Sequence, residues 1–565
     1  MNIAFMNQTS LNEAYGILCR AVSWPYSKAS MMPTFCQVPL NGATTTHSHF
    51  EPEIFFITKG DGEITIGPES QIVSMGDLIH IPTNTPHTIK NIGNQALEFL
   101  SIYSEDFEIP LLPQQVLITA APPTPNGPLH LGHISGPYLA SDIVSRYLRQ
   151  HSSDVFSHSG TDDHQNYVSE KSHALKINVD AFQKTQRQRI QRGLENLSIH
   201  FDEFIEPKSS HHYQHKVLNF VERTLQSGII EKEVLTLPHC PDCELTLIDS
   251  LADGICPVCH SPSRGGCESC GLVVPPHHLL NTHCGRCGQI ADRITEEVYT
   301  FNVGQHFPLI ENELDRLALP PRLRELVSKV KAHPDYKVLV SHPSNNHLGL
   351  KLPGSNQHIH VWFEMAAHYE SFAHRDETWI HFFGFDNSFH YLIFIPALLK
   401  AMSPKAKLPD VAVVNEFLLL DGLKFSTSRN HAIWADEFSG DADALRLYLC
   451  AHRPARQTSN FSTEEFQVFS TLLSKQIRLI QDRFQNVKPH TGKFTSSADQ
   501  DVQRFIRDMA NAMSPRTLDL RQAARRILLF IDHTIHGFGN AADDKHRIQT
   551  LANQLTPFMP STRIL

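Results

Sequence analysis

Between Thr45 and Tyr103 apolar and polar residues alternate in short runs, EIFFITK, GEITIG, LIHIP and LEFLSIY, divided by Gly, Pro and Asn. Period two in β-branched and aromatic residues predicts strands, and the close turns predict a small all-β barrel. The pattern changes after EIPLLPQQ. A continuous apolar run, VLITA (116–120), passes through a Gly/Pro loop into positions spaced for a helix, Ile134, Tyr138, Ser141 and Val144. This predicts a buried strand, a loop and a helix, the unit of an α/β core with a parallel sheet. Further on, VAVVNEFLLL reads as another strand of that core. From Ser462 a Ser-x-x-Glu start to Glu465 precedes apolar positions at Phe466, Phe469, Leu473, Ile477, Ile480 and Phe484. That is the pattern of an amphipathic packing helix, and the tail beyond reads as a shortened helical domain.

At 565 residues the chain exceeds a single core and predicts three or four domains. Its 41% apolar and 19% charged content is that of an ordinary globular protein. A net charge of −10, from 49 basic and 59 acidic residues, excludes bulk basicity as a means of recruiting nucleic acid. The N-terminus lacks a basic n-region, and no stretch approaches the roughly 18 apolar residues of a membrane span, so the expected location is cytoplasmic with no membrane partner. Eight of 11 cysteines form four CxxC pairs between Cys240 and Cys287, which in a reducing compartment points to metal rather than disulfides. Cys19, Cys36 and Cys450 read as buried small hydrophobes.

Chemistry is concentrated in three places. Inside the barrel pattern lie HSHFEPE (47–53) and GDLIHIPTNTPHTIKN (76–91). Side chains alternate faces on a strand, so His47 and His49 point one way, and Glu53 and His87 can reach the same point. Three imidazoles and a carboxylate suit a divalent transition metal. The two segments resemble the paired motifs of the cupin family, although Gly42 stands one residue close to His47 and Asn84 replaces a turn glycine. The second place is the cysteine segment, CPDC, CPVC, CESC and CGRC, whose knuckle-type turns supply thiolates for two tetrahedral Zn²⁺ ions of structural type.

The third place is the α/β core. The loop PTPNGPLHLGH (123–133) opens a helix, where backbone N–H groups and the dipole favour phosphates, and DGLKFSTSR (421–429) follows a later strand. With GTDDH (160–164), VWFEMAAHY (361–369) and GFDN (384–387), these segments resemble the class I aminoacyl-tRNA synthetases, the methionyl enzymes in particular. The resemblance implies ATP with Mg²⁺ as cofactor. It implies catalytic roles for His130, His133 and Lys424, and ATP contacts from His130, His133, Gly384, Asp386, Lys424, Ser426 and Ser428. Asp162, Trp362 and Tyr369 would hold the amino acid. Among the cysteines, the inner four (Cys256, Cys259, Cys267, Cys270) would share one zinc and the outer four (Cys240, Cys243, Cys284, Cys287) the other.

Several positions depart from that family. Thr427 replaces a signature lysine, His342 stands where the family carries an arginine, and the segment from Gly384 to His390 is one residue short. No anticodon-reading motif is recognised in the tail. A cupin ahead of a shortened methionyl-type module resembles the bacterial hydrazine synthetases. That resemblance implies adenylation of an amino acid, its esterification to N6-hydroxylysine, and rearrangement to an N–N product in the cupin, whose metal would be zinc. The expected domains are a barrel at 1–112, the first half of the core at 113–230, a zinc-bearing insertion at 231–345, the second half of the core at 346–450 and a helical domain at 451–565. tRNA is then not an expected partner. The competing readings are a methionyl-tRNA synthetase with an appended cupin, and a non-catalytic amino-acid sensor.

Overall fold

The computed structural model describes residues 11–14, 16–21, 31–48, 53–82, 85–104, 110–317, 319–343, 349–425, 431–487 and 495–565. Five positions singled out above, His49, Asn84, Ser426, Thr427 and Ser428, lie outside these residues. The chain divides into two compact units, Met1–Pro110 and Leu111–Leu565.

The first unit is all β. One sheet orders the strands Asn12–Ala14, Ile17–Ala21, Met31–Val38, Leu97–Ser104, Glu53–Lys59 and Leu78–Ile81, and a second orders Glu69–Ser74, Asp61–Ile66 and His87–Asn91. The pairings are antiparallel. Alternation in sequence becomes alternation in burial: Glu53, Phe55 and Ile57 face inward, and Val38, Ile64, Ile81, Ile89, Leu97 and Phe99 complete the core. The reversals at Gly60 and Gly76 need φ of +83° and +99°, which glycine adopts without steric cost.

In the second unit a five-stranded parallel sheet runs Glu203–Ile205, Asp154–Gly160, Gln115–Ala120, Thr378–Gly384, Val411–Asn415. Strand order therefore reverses between Gln115–Ala120 and Thr378–Gly384. At such a switch point the loops leaving neighbouring strands diverge to opposite faces and open a crevice beyond the strand ends. A long antiparallel ribbon, Ile230–Cys240 against Asp292–Asn302, carries the cysteine turns. The helices Thr463–Asn486, Ser496–Met513, Leu520–His536 and Ala541–Leu555 share one apolar core with the Ala442–Ala451 helix and one side of the sheet. Arg446, fully buried, fixes that junction: it donates to Asp142 Oδ2 at 2.7 Å and to the carbonyls of Leu197, Pro557 and Phe558. No helix among the described residues is long and apolar enough to cross a membrane.

Candidate active site and metal centres

The switch-point crevice gathers the segments that the sequence left 290 residues apart. His130 caps the short Leu131–His133 turn, and each histidine accepts from the other's backbone N–H at 3.3 Å. Their rings stack at 3.7 Å, and Phe425 of the signature loop stacks on His130 at 4.5 Å. A side chain at Gly132 would meet Phe425 at 3.1 Å, so the glycine permits the two loops to close on each other. The next turn, Ile134–Tyr138, is π-helical, and a Cβ at Gly136 would lie 2.9 Å from the Asn415 amide. Helical turns of this wide kind recur at functional sites because they displace side chains without ending the helix. Across the switch, His390–Phe394 is a second π-helical turn.

Asp162, 7% exposed, follows the Asp154–Gly160 strand. Thr124 Oγ1 donates to it at 3.4 Å. Burial, reinforced by the nearby Glu364 carboxylate and opposed by His164, pushes its pKa up to about 8. His164 donates to Glu364 at 2.8 Å in a buried pair: burial disfavours its charge, and Glu364 more than offsets that. Trp362 stacks on His390 at 3.7 Å and meets Tyr391 edge-on. Tyr369, buried, packs against Tyr391 and His381. Burial, and after it Asp386, Tyr369 and Asp162, push the Tyr138 hydroxyl above its ordinary pKa. Asp162, Trp362 and Tyr369 thus gather around Tyr391. His164 and Glu364 lie within the GTDDH and VWFEMAAHY segments and Tyr138 on the predicted helix, but no site role was assigned to them or to Tyr391 from sequence. Their importance comes from the sheet that assembles them.

The remaining nucleotide-loop positions sit beside the inner cysteine turn. Gly384 precedes the turn that carries Asp386, and a Cβ on it would strike the Asp386 carboxylate at 2.5 Å. Lys424 Nζ pairs with Glu268 Oε2 at 2.9 Å and lies over the Phe417 ring. Arg322 stacks on Phe385 at 3.4 Å, donates to the carbonyls of Glu268 and Ser269, and pairs with Glu416. The cysteine insertion therefore forms part of the crevice wall.

The eight cysteines fall into two sets, Cys240, Cys243, Cys284, Cys287 and Cys256, Cys259, Cys267, Cys270, with ligand atoms in each set within 4.8 Å of one another. Sulfurs at the corners of a tetrahedron 2.3 Å from Zn²⁺ stand about 3.8 Å apart. Pairs here are 3.5 Å (Cys240–Cys287), 3.8 Å (Cys256–Cys270) and 3.4 Å (Cys259–Cys267), so both sets fit such an ion.

In the barrel, His87 is 1% and Glu53 7% exposed, and His87 Nε2 lies 3.4 Å from Glu53 Oε2. Ser101 Oγ donates to the other Glu53 oxygen. His47 pairs with His87 through a β-bridge, their rings 4.4 Å apart. Both histidines direct Nδ1 to a backbone carbonyl, Thr45 at 2.7 Å and Thr85 at 2.9 Å. Those bonds fix the Nδ1–H tautomer and leave Nε2 as the ligand atom. Three of the four expected ligands thus lie beside one another, Glu53 against His87 and His87 against His47.

Comparison with known proteins follows the same division. Residues 34–103 match the cupin domain, and residues 116–483 match the tRNA synthetases class I (M). A methionine–tRNA ligase of Methanobrevibacter smithii is 32% identical over 374 residues, covering 62% of this chain and 56% of the relative. That of Pyrococcus furiosus is 27% identical over 489 residues, covering 75% and 64%. The chain thus spans between half and two thirds of the length of these relatives. The solved Mycobacterium tuberculosis methionyl-tRNA synthetase in complex with methionyl-adenylate superposes with a TM-score of 0.59 at 19% identity, over 79% of this chain and 92% of that one, which shows a common fold. With the matched segment covering well over half of its residues, the chain belongs to the class I tRNA synthetases (M) and carries a cupin domain ahead of that module.

Proposed function

We propose that this protein is an ATP-dependent hydrazine synthetase. The observation that carries the reading is the His47–Glu53–His87 cluster set into the apolar core of a barrel, in one chain with a synthetase core. In the crevice, Asp162 receives the α-ammonium of an amino acid, with Trp362 and Tyr369 as walls. His130, His133 and Lys424 hold the triphosphate, and Asp386 and Gly384 hold the ribose side. Ser426 and Ser428 extend the phosphate contacts. Mg²⁺ accompanies the nucleotide. The carboxylate attacks the α-phosphorus, pyrophosphate leaves, and the acyl adenylate is an activated electrophile that needs only an oriented nucleophile.

The hydroxyl of N6-hydroxylysine accepts the acyl group, and AMP leaves. In the ester the α-amino nitrogen then attacks the hydroxylamine nitrogen: the N–N bond forms, the N–O bond breaks, and the carboxylate departs with the electron pair. His47, His49, Glu53 and His87 would hold a divalent metal, read as zinc, which when bound supplies Lewis acidity for that departing carboxylate. The two cysteine sets hold structural zinc.

A second reading, a methionine–tRNA ligase with an appended cupin, is favoured by the names of the relatives. The expectation that tRNA is not a partner finds no support in them, so tRNA belongs in the test. ATP–pyrophosphate exchange is measured across a panel of amino acids, with N6-hydroxylysine or tRNA added, and products are identified by mass spectrometry. An N–N linked product without tRNA supports the first reading. Aminoacylated tRNA with no hydrazine would establish the second.

A further inference from the structure

Behind the crevice, the structure assigns a proton relay, Glu203–His158–His368, that serves the acyl acceptor; this inference rests on the adenylate reading above. His158 Nδ1 lies 3.0 Å from Glu203 Oε2, and its Nε2 lies 2.8 Å from His368 Nε2. A carboxylate only accepts, so His158 must carry its proton on Nδ1. Its Nε2 then accepts from His368 Nε2–H, which leaves His368 Nδ1 as a lone pair. The chain of bonds is directional.

Its two ends lie in different surroundings. His158 is 3% exposed, whereas half of the Glu203 side chain meets solvent. His368 lines a narrow crevice together with Tyr369, Met365, Tyr213, Thr161 and His158. Tyr369 and Thr161 are shared with or adjacent to the amino-acid walls, since Asp162 follows Thr161 directly. Burial, then His158 and Lys216, hold the His368 pKa well below that of free imidazole. A neutral ring with a lone pair receives a hydrogen-bond donor, such as a hydroxyl, and rejects a carboxylate. Burial also disfavours leaving the proton on that ring, and the relay provides its exit.

The step balances as follows. The acceptor hydroxyl oxygen bonds to the acyl carbon, and the bond from that carbon to the phosphate oxygen breaks, so AMP leaves with the electron pair. The hydroxyl proton passes to His368 Nδ1, the Nε2 proton of His368 to His158, and the Nδ1 proton of His158 to Glu203 and solvent. No local pattern signals this arrangement, because Glu203, His158 and His368 come from two strands and a helix far apart in the chain.

The test compares two half-reactions in the full-length, zinc-loaded protein. Pyrophosphate exchange needs no acceptor, and acyl transfer to N6-hydroxylysine is followed by mass spectrometry, so the ratio of transfer to exchange isolates the acceptor step. His368→Ala is expected to lower the ratio by ~10²-fold, the scale of losing a general base, with added imidazole restoring part of it. Glu203→Gln, at the half-exposed end where folding is least at risk, is expected to lower it about tenfold, with Glu203→Asp in between. An unchanged ratio in Glu203→Gln, or a loss in His368→Ala that imidazole does not relieve, overturns the relay while leaving the adenylate reading intact. Absence of exchange in the unaltered protein with every amino acid overturns both.

Discussion

Under the proposed function, Asp162 is a carboxylate whose surroundings suit a cationic ligand. Burial, and after it Glu364, push its pKa up to about 8, so without a counter-charge it is largely protonated below that pH. An arriving ammonium supplies the missing counter-charge, and ionisation then becomes favourable. The sign follows: the binding-competent carboxylate is lost as pH falls through about 8, so amino-acid affinity should weaken by up to about tenfold per pH unit below that value. Measuring KM for the amino acid in pyrophosphate exchange between pH 6 and 9 checks this, and Asp162→Asn should abolish the slope along with most binding. A flat profile in the unaltered protein would remove Asp162 from the site. For His133→Ala or Lys424→Ala, exchange is expected to fall by ~10²-fold, the scale of one transition-state donor.

At the level of elements, the inner cysteine turn, whose four thiolates could hold a metal, also reaches the crevice. Arg322 ties its carbonyls to Phe385, and Glu268 reaches Lys424. Cys256→Ser should therefore reduce zinc content and Tm, since metal binding contributes to folding, and should raise the KM for ATP as well. Cys240→Ser, in the outer set, is expected to lose zinc with a smaller effect on ATP; equal effects would refute the proposed role of the wall. The Ala442–Ala451 helix offers a second case. Arg446→Ala leaves Asp142 held by Arg146 but strips the buried carbonyls of Leu197, Pro557 and Phe558 of their donor, a change expected to cost about 1–3 kcal/mol and measurable by chemical denaturation.

For the whole molecule, the proposal divides two reactions between two units that share no residues. His87→Ala should strip metal from the barrel and abolish N–N product while pyrophosphate exchange persists. The labile ester would then accumulate or hydrolyse, with ATP consumed to no product. Metal analysis, exchange and mass spectrometry on the same preparation test all three consequences. Persistence of the N–N product at the normal rate in a metal-free barrel would make the cupin a passenger.

Sequence alone determined the order of elements: alternation in EIFFITK became a strand with Glu53, Phe55 and Ile57 inward, and the Ser462 start became the cap of the Thr463–Asn486 helix. The four CxxC turns are likewise local, each bringing its own two thiolates, whereas which turns combine was implied by the family resemblance and is decided by the fold that sets Cys240 and Cys243 against Cys284 and Cys287. Short-range rules suffice for such features, since period and spacing are properties of neighbouring residues. Only the tertiary structure decided which distant side chains meet. The stack of Phe425 on His130, the pair between Lys424 and Glu268, and the Glu203–His158–His368 chain each depend on sheet order and loop closure over 45 to 295 positions. A lone histidine such as His158 carries no pattern in sequence. Its proton chemistry exists because a parallel sheet sets it between a carboxylate on one strand and an imidazole on a covering helix.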